Sequence, residues 1–398
     1  MSAATESPEL IARGSPAFRR ASLALVIASL VIFGNLYAVH PLLPLISEHY
    51  QVSTLQASNA FTLTSLTLGL SLLVLGPLSD AFGRRAPLII GMTVTGLLTL
   101  TMALVDNFTA LVWLRAVLGI ALGVLPATAI AYLGDSMQRT AILSAVGLYI
   151  GGNTVGGAGG RLLGGFIADH YGLQSVFLVI GSASLLCTLA VFLLLPPANA
   201  FKPQPLSLGG SLRTFGSHLG NRALLPAYLV GGLNFMVFIN LYTFITFRLS
   251  AAPWQLGAGS LGLLFLTYLA GTVSASLSGR VGSSGACRGM AGGILLFAAG
   301  CLITLSDQLW LIIAGLICNA FGFFLTHSLA NSWVNQHAAH GKASASSLYS
   351  VFYYLGAAVG IYYLAPFWRL AGWPAVVAGS LVVLSINLAL IRYLRRRQ

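Results

Sequence analysis

The ten-residue stretch Gly76-Pro-Leu-Ser-Asp80-Ala-Phe-Gly83-Arg84-Arg85 lies between two long apolar runs and determines how they are connected. Glycine permits the tight reversal that so short a connection requires, and Asp80 supplies a hydrogen-bond acceptor at the end of the preceding run. Arg84 and Arg85 place positive charge on one side of the reversal, where they can pair with an acid. A simple turn would explain the two arginines but would not require the Leu-Ser-Asp spacing.

Apolar runs of about 20 residues, the length that spans a bilayer as a helix, recur along the whole chain. Of its 398 residues, 57% are hydrophobic and only 7% are charged, against about 25% charged residues in soluble domains. So few charges cannot cover a water-facing surface, and most of the exterior must therefore face lipid. The predicted spans are twelve: 21–46, 56–78, 86–105, 109–134, 141–167, 173–195, 223–248, 258–279, 289–305, 309–334, 344–366 and 373–391.

The positive charges indicate the orientation of these spans. With the N-terminus inside, 16 of the 20 Lys and Arg residues lie at inner ends or loops and 2 lie at outer ends, which follows the positive-inside rule. Both termini are therefore predicted to be cytoplasmic, and the net charge of +12 reflects membrane orientation rather than nucleic-acid binding. The first span lacks a cleavage site, so we expect an uncleaved helix in the plasma (inner) membrane, kinked or ended by Pro41 and Pro44.

The two halves of the chain repeat each other. Leu78 and Leu277 begin matching Leu-Ser-x-x-x-Gly stretches that are 199 residues apart, which is half of the chain length. We predict a six-helix domain at 1–195, a cytoplasmic linker at 196–221 and a second six-helix domain at 222–398. This is an all-α integral membrane fold of twelve transmembrane helices in two pseudo-symmetric bundles. In transporters of this architecture the substrate site lies near the membrane midplane between the halves.

The stretch 76–85 resembles the signature of the major facilitator superfamily between its second and third helices, Gly-x-Leu-Ser/Ala-Asp-Arg-aromatic-Gly-Arg-Arg/Lys. Ala81 stands where the family usually has arginine, and Gly279 replaces the aspartate in the second half. The resemblance implies the MFS fold and a cytoplasmic latch between the halves, made in the outward-open state and broken in the inward-open state. The latch residues it implies are Gly76, Asp80, Gly83, Arg84 and Arg85.

The fifth predicted span is rich in glycine, and its stretch Gly152-Asn153-Thr-Val-Gly156-Gly157 resembles a second family signature. That signature, Gly-Pro-x-x-Gly-Gly, belongs to the drug:proton antiporter branch of the superfamily, and Asn153 replaces its proline. Glycines four residues apart also allow close helix packing in lipid, whatever the direction of transport. The partial match favours export over import.

Polar and aromatic side chains within the spans are candidates for a substrate and coupling cavity, because unpaired polar groups are costly in lipid. Arg115 begins an Arg-x-x-x-Gly pattern that the family has in its fourth helix, and Arg161 lies on the glycine-rich span. For each arginine the alternative is a side chain that reaches the outer water. For the other residues the alternative is a hydrogen bond between neighbouring helices. The candidates are Asn35, Tyr37, His40, Arg115, Asn153, Arg161, Asn234, His327, Asn331, Tyr349 and Tyr353.

None of the eight acidic residues lies inside a predicted span. Proton-coupled exporters of this superfamily often bury a carboxylate. Coupling here must therefore use His40, His327, or an acid at a helix end such as Asp169 or Glu48. Two arginines within the spans, without a buried acid, favour a neutral or anionic substrate.

The sequence thus predicts a monomeric secondary transporter that exports a small organic molecule by alternating access. The expected driving force is the proton gradient, with no cofactor and no metal, and no phosphate-binding Gly-x4-Gly-Lys-Ser/Thr motif is present. The alternative within this class is a proton-coupled importer or facilitator of a sugar or organic acid. Different classes are an intramembrane enzyme and a non-transporting sensor, and we expect neither.

Replacing Asp80 with asparagine should impair turnover while leaving membrane insertion intact, because the latch biases conformations rather than folding. Turnover is measured as substrate flux in proteoliposomes, and insertion as the amount of folded protein recovered from membranes. Wild-type flux from Asp80→Asn would rule out the latch assignment.

Overall fold

The protein is almost entirely helical, and the computed structural model describes residues 10–198, 201–205 and 208–396. Two 3₁₀ helices in the described residues, His40–Leu42 and Leu264–Thr267, each connect two α-helices. Glu6, Glu9, Arg397 and parts of the predicted linker lie outside the described residues. The helices are α1 (Pro16–Tyr37), α2 (Leu43–His49), α3 (Thr54–Phe82), α4 (Arg85–Met102), α5 (Phe108–Leu122), α6 (Val124–Ser136), α7 (Arg139–Leu194), α8 (Leu208–Leu219), α9 (Leu225–Ser250), α10 (Ala258–Leu263), α11 (Tyr268–Ser283), α12 (Ala286–Ile303), α13 (Leu309–His337) and α14 (Lys342–Arg395).

Two of these helices are long enough to cross a bilayer twice. α7 has 56 residues and α14 has 54, or about 80 Å each, against about 30 Å of hydrocarbon. The backbone of α7 leaves the helical region at Gly172, and that of α14 does so at Ala371 and Gly372. The described residues contain ten apolar helical segments, and counting these two twice is consistent with the twelve predicted crossings. The predicted all-α membrane fold is confirmed.

Local sequence signals set the bounds of α1. Ser15 accepts a hydrogen bond from a backbone N–H of the first turn at 3.1 Å, and Pro16 occupies the first helical position, where a missing N–H costs nothing. α1 ends at Tyr37, and the chain continues through a short 3₁₀ helix that contains Pro41. Pro44 then lies in the first turn of α2. The predicted break in the first span is therefore present.

The helix ends define two faces of the bundle. The terminal face carries residues 11–15, 83–85 and 137–139, and there the backbone of Ile11 pairs with Ser136 and Gln138 in the connection between α6 and α7. The distal face is the opposite one and carries residues 38–53, 103–107 and 251–257.

Two sets of helices pack on either side of the predicted linker. We call the described residues up to 195 the N-half and those from 222 the C-half, following the predicted domain bounds. The halves meet chiefly along two seams, α3 against α14 and α7 against α10. The linker contains α8, a helix that the sequence analysis did not anticipate, and α8 contacts both α3 and α14.

Glycines allow α1 and α7 to approach each other backbone to backbone. A Cβ atom at Gly160 would lie 2.5 Å from the carbonyl oxygen of Gly34, and one at Gly156 would lie 2.7 Å from that of Ser29. Neither position could accept a larger side chain without separating the helices. The glycines of the fifth span therefore form a small-residue seam inside the N-half, as their spacing indicates.

A cysteine scan in intact cells tests the orientation predicted from the positive charges. Thr109→Cys is exposed on the distal face, and Ser284→Cys is exposed on the terminal face. A membrane-impermeant maleimide should label Thr109→Cys in intact cells and should label Ser284→Cys only after lysis. The wild type, whose described cysteines are buried or half-buried in helices, gives the background. The reverse pattern would place the terminal face outside.

Candidate functional site

A cavity of about 160 Å³ lies between the two halves. Its N-half wall comes from α1 and α7, and its C-half wall comes from α9, α11, α13, α14 and the second 3₁₀ helix. Four of the predicted site residues line it together: Tyr37, Asn153, Arg161 and Tyr353. The sequence analysis missed most of the aromatic wall, which consists of Phe235, Phe238, Phe265, Tyr268 and Phe324.

Arg161 is the charged group of this cavity and is only 2% exposed. Its Cζ atom lies 3.9 Å from the ring centroid of Tyr37, 4.4 Å from that of Phe265 and 4.8 Å from that of Tyr268. A desolvated cation–π contact of this kind contributes about 2 kcal/mol. Its Nη1 donates to the Gly157 carbonyl at 3.2 Å, whereas Nε and Nη2 have no hydrogen-bond partner in the described chain. Rings from both halves therefore hold a guanidinium that has two unused donor nitrogens.

Arg115, the other predicted arginine, lies outside the cavity lining and ties three helices together. Its Nε donates to the carbonyl of Ala60 at 2.8 Å, Nη1 to that of Asn35 at 2.9 Å and Nη2 to that of Leu36 at 3.1 Å. The last two carbonyls belong to the final turn of α1, where helical partners are missing. A positive charge also suits the negative end of a helix. Arg115 thus stabilises the broken end of α1.

Two predicted asparagines outside the cavity, Asn35 and Asn234, join helices within each half, whereas Asn331 bonds within its own helix. Asn35 bridges α4 and α7 through its side-chain amide, at 2.7 and 2.8 Å. Asn234 of α9 donates to a carbonyl of α13 at 3.0 Å. The Asn331 carbonyl accepts a hydrogen bond from Asn335 one turn further along α13, also at 3.0 Å.

An aromatic cluster in the C-half contains the predicted residues His327, Tyr349 and Tyr353. The His327 Nδ1 lies 2.9 Å from the Tyr349 hydroxyl, and the His327 ring stacks on Phe323 with 5.8 Å between centroids. Tyr353 stacks on Phe235 at 3.6 Å and extends from this cluster to the cavity wall. All of these contacts stay within one half.

Direct hydrogen bonds between the described parts of the two halves lie only on the distal side. The His40 Nε2 atom is 2.8 Å from the Thr243 hydroxyl of α9. The Tyr362 hydroxyl of α14 donates to the Asn59 side chain near the start of α3, also at 2.8 Å. The remaining two hydrogen bonds join α7 to α10.

Asp169, on the distal part of α7, caps the N-terminus of α10 in the other half. Its two carboxylate oxygens accept the backbone N–H groups of Ala258 and Gly259, each at 2.8 Å. Such N–H groups have no partner inside their own helix, and the positive end of a helix attracts a carboxylate. Gly165 and Gly262 make the approach possible, because a Cβ at either would press on a backbone carbonyl of the opposite half. The glycine spacing alone did not reveal this role.

The predicted latch charges lie at the terminal face and contact the N-half. Arg84 forms an ion pair with Asp80, and its Nε donates to Asp135 of α6 at 3.0 Å. Arg85 donates to a carbonyl of α7 at 2.7 Å. A backbone N–H of the linker donates to the Asp80 carbonyl at 2.9 Å. Asp135 is a partner that the sequence analysis did not assign, and the latch between the halves stays a prediction.

The two latch glycines differ in what they require. Gly83 ends α3 with φ +100°, a backbone conformation that glycine adopts without strain. Gly76 lies inside α3, and a Cβ there would meet nothing within 4 Å. The backbone therefore requires a glycine at position 83 but not at position 76.

Ten apolar helical segments in the described residues, two of them long enough to cross twice, form two halves with a cavity between them, the architecture of a polytopic membrane transport protein. The sequence profile of the Major Facilitator Superfamily matches residues 25–361, and the chain belongs to this superfamily. It is 34% identical over 387 residues to the uncharacterised MFS-type transporter YybF of Bacillus subtilis (strain 168). This alignment covers 97% of this chain and 96% of the relative. The chain is 33% identical over 388 residues to the inner membrane transport protein YnfM of Escherichia coli (strain K12), which covers 96% and 92%.

A solved structure has the same fold. A bacterial homologue of the human lysosomal transporter Spinster, crystallised in an inward-facing and unoccupied conformation, superposes with a TM-score of 0.74. The superposition covers 96% of this chain and 98% of that one, at 17% sequence identity. At this identity the likeness establishes the fold alone.

Removing the charge of Asp169 should loosen the distal side, because the carboxylate caps a helix of the other half. Asparagine removes the charge and one of the two acceptor oxygens, a loss of about 0.5–1.5 kcal/mol, so the opening equilibrium should shift by about 2- to 12-fold. Leu261 is buried in this seam. In a Leu261→Cys parent, the rate at which a water-soluble maleimide modifies the cysteine measures how often the seam opens. We expect faster modification in Asp169→Asn than in the parent.

The matched control is Asp106→Asn. Asp106 is an exposed distal acid whose carboxylate accepts a hydrogen bond from Gln174 of the same half. Its loss should leave the modification rate of Leu261→Cys unchanged. Equal modification rates in Asp169→Asn and Asp106→Asn would show that Asp169 does not hold the distal side closed.

Proposed function

We propose that this protein is a secondary active transporter that exports a small organic solute in exchange for protons, by alternating access between its halves. The observation that carries the proposal is where the hydrogen bonds between the halves lie relative to their shared cavity. The direct hydrogen bonds between the described halves lie at the distal side, and Arg161 with its rings lies at the distal end of the cavity. In alternating access, the side that is closed in one state is open in the other.

The proposed orientation makes this the inward-facing state. The positive-inside rule places the terminal face in the cytoplasm, so the closed distal side faces outward. The latch residues then lie on the cytoplasmic side, and their charges pair within the N-half, as expected when a latch between the halves is broken. Family resemblance supports this account of the latch.

The proposed direction rests on the glycine-rich stretch of α7. Asn153 stands where the antiporter branch has proline, lines the cavity, and has a buried side-chain oxygen without a partner among the described residues. The resemblance of this stretch to the antiporter signature favours export, and Asn153 can supply a hydrogen-bond acceptor to a solute in the cavity. The alternative is a proton-coupled importer or facilitator, which would use the same cavity in the opposite direction.

His40 is the proposed coupling group. It lies in the 3₁₀ helix after α1, is buried between the Phe61 and Phe265 rings, and bonds across the halves to Thr243. The cation Arg161 contacts the same Phe265 ring as His40, so a proton on His40 would repel Arg161 and weaken the closed distal side. His327 is also buried among aromatic rings, but its partners lie in its own half.

The two histidines can be separated by substitution. His40→Ala should abolish the pH dependence of substrate flux, whereas His327→Ala should lower flux without removing that dependence. Flux is followed in proteoliposomes over a range of external pH. If both variants keep the pH dependence of the wild type, neither histidine couples, and Asp169 becomes the group to test.

A solute screen in proteoliposomes tests the function itself. Purified protein is reconstituted, pH gradients of either sign are imposed, and accumulation of solutes is measured with and without a protonophore. An exporter of the proposed kind should drive one solute against its gradient in the direction opposite to proton flow. Accumulation in the same direction as proton flow would establish a proton-coupled importer. Flux that does not depend on the pH gradient would establish a facilitator.

A further inference from the structure

We propose that the inter-half cavity binds a small organic carboxylate, which pairs with Arg161 and places one flat apolar ring among the aromatic side chains. This proposal rests on the proposed transport function and names the substrate class of the same site.

The free edge of Arg161 has the geometry of a carboxylate site. Nε and Nη2 form one edge of the planar guanidinium, and both lack partners in the described chain, while Nη1 bonds to a carbonyl of its own helix. The rings of Tyr37, Phe265 and Tyr268 lie within 5 Å of the guanidinium carbon. A carboxylate accepts two parallel N–H bonds from such an edge.

Charge balance favours an anion over a neutral or cationic ligand. The acids in the described residues lie in loops, near helix ends or, for Asp169, just before the kink in α7, and none lines the cavity with Arg161. An ion buried without a counter-ion costs several kcal/mol, which a bound anion offsets. A cationic ligand at the same edge would add to the cost by repulsion.

A third donor points to the same ligand group. The Tyr268 hydroxyl is buried, lines the cavity, and has no hydrogen-bond partner among the described residues. Its ring already contacts the guanidinium at 4.8 Å. A carboxylate at Arg161 can thus also accept a hydrogen bond from the Tyr268 O–H. One ligand group would then pair both the guanidinium edge and the tyrosine hydroxyl.

The rest of the cavity specifies the apolar body of the ligand. Phe238, Phe324 and Tyr353 line it, and its volume is about 160 Å³. An apolar cavity of about 150 Å³ holds one benzene molecule. The ligand body in this state is therefore about the size of one aromatic ring, so benzoate is the simplest probe.

Calorimetric titration of the purified full-length protein tests the proposal. Benzoate is compared with benzamide, benzylammonium and inorganic phosphate, each up to about 10 mM, which exceeds the Kd of even a millimolar site. We expect saturable binding of benzoate, binding at least tenfold weaker for benzamide, and none for benzylammonium or phosphate. Equal binding of benzamide, or no binding of benzoate, would overturn the proposal, and phosphate binding as strong as benzoate binding would replace the carboxylate site with a general anion site.

Three variants locate the site on the protein. Arg161→Gln should weaken benzoate binding about 10- to 100-fold, since a charge-assisted pair is lost, and Arg161→Lys should lose less. Tyr268→Phe keeps the ring and should weaken binding only severalfold. Arg248→Gln is the matched control, because Arg248 also contacts two rings but its guanidinium bonds to carbonyls and to Asp307. It should bind benzoate like the wild type.

The melting temperature of each variant shows whether it is folded. If Arg161→Gln does not fold, Tyr268→Phe still decides, since it removes one oxygen from the ligand site and leaves the cation–π contact. Folded variants with unchanged affinity would overturn the proposal. Transport of a neutral solute without benzoate binding would refute the carboxylate assignment alone, whereas benzoate binding without transport of any solute would refute the transport function alone.

Discussion

The crossing of α7 over α10 is the contact on which the closed distal side depends. Gly165 lies at the point of closest approach, Arg161 lies one turn towards the cavity, and Asp169 lies one turn towards the distal surface. Residues four apart share one face of a helix, so a single face of α7 carries the cavity charge, the glycine contact and the cap. Any separation of the halves here exposes all three together.

The same face of α7 connects the cavity to the contacts that close the distal side. Two of the rings around Arg161, Phe265 and Tyr268, belong to the C-half, so a ligand on the guanidinium acts directly on the contact between the halves. The contributions involved, about 2 kcal/mol for each desolvated cation–π contact and about 0.5–2 kcal/mol for the Asp169 cap, are small. Binding of a ligand or a proton with a comparable free energy can therefore shift the equilibrium between the state with a closed distal side and the state with an open one.

Much of the fold could be predicted from the sequence, because bilayer thickness dictates the length of apolar runs and lipid excludes unpaired backbone. The break after α1 followed from its two prolines. Within the cavity, Tyr37, Asn153, Arg161 and Tyr353 could be proposed because polar groups are conspicuous in apolar spans. Phe238 and Phe324 could not, since an aromatic residue in a span is equally suited to lipid. The role of Asp169 could not be predicted either, because its partners lie 89 and 90 residues away on another helix.

The most direct test of the account measures both faces of the protein at once. Spin labels are placed at Glu48 and Gln255 on the distal face and at Gln138 and Ser284 on the terminal face, all of them exposed. Each pair joins the two halves, and pulsed electron paramagnetic resonance gives its distance distribution with and without Asp169→Asn. The account predicts a second, longer distal distance in the variant, matched by a second, shorter terminal distance of equal population. Distributions that do not change, or that change at one face alone, would contradict alternating access about the α7–α10 crossing.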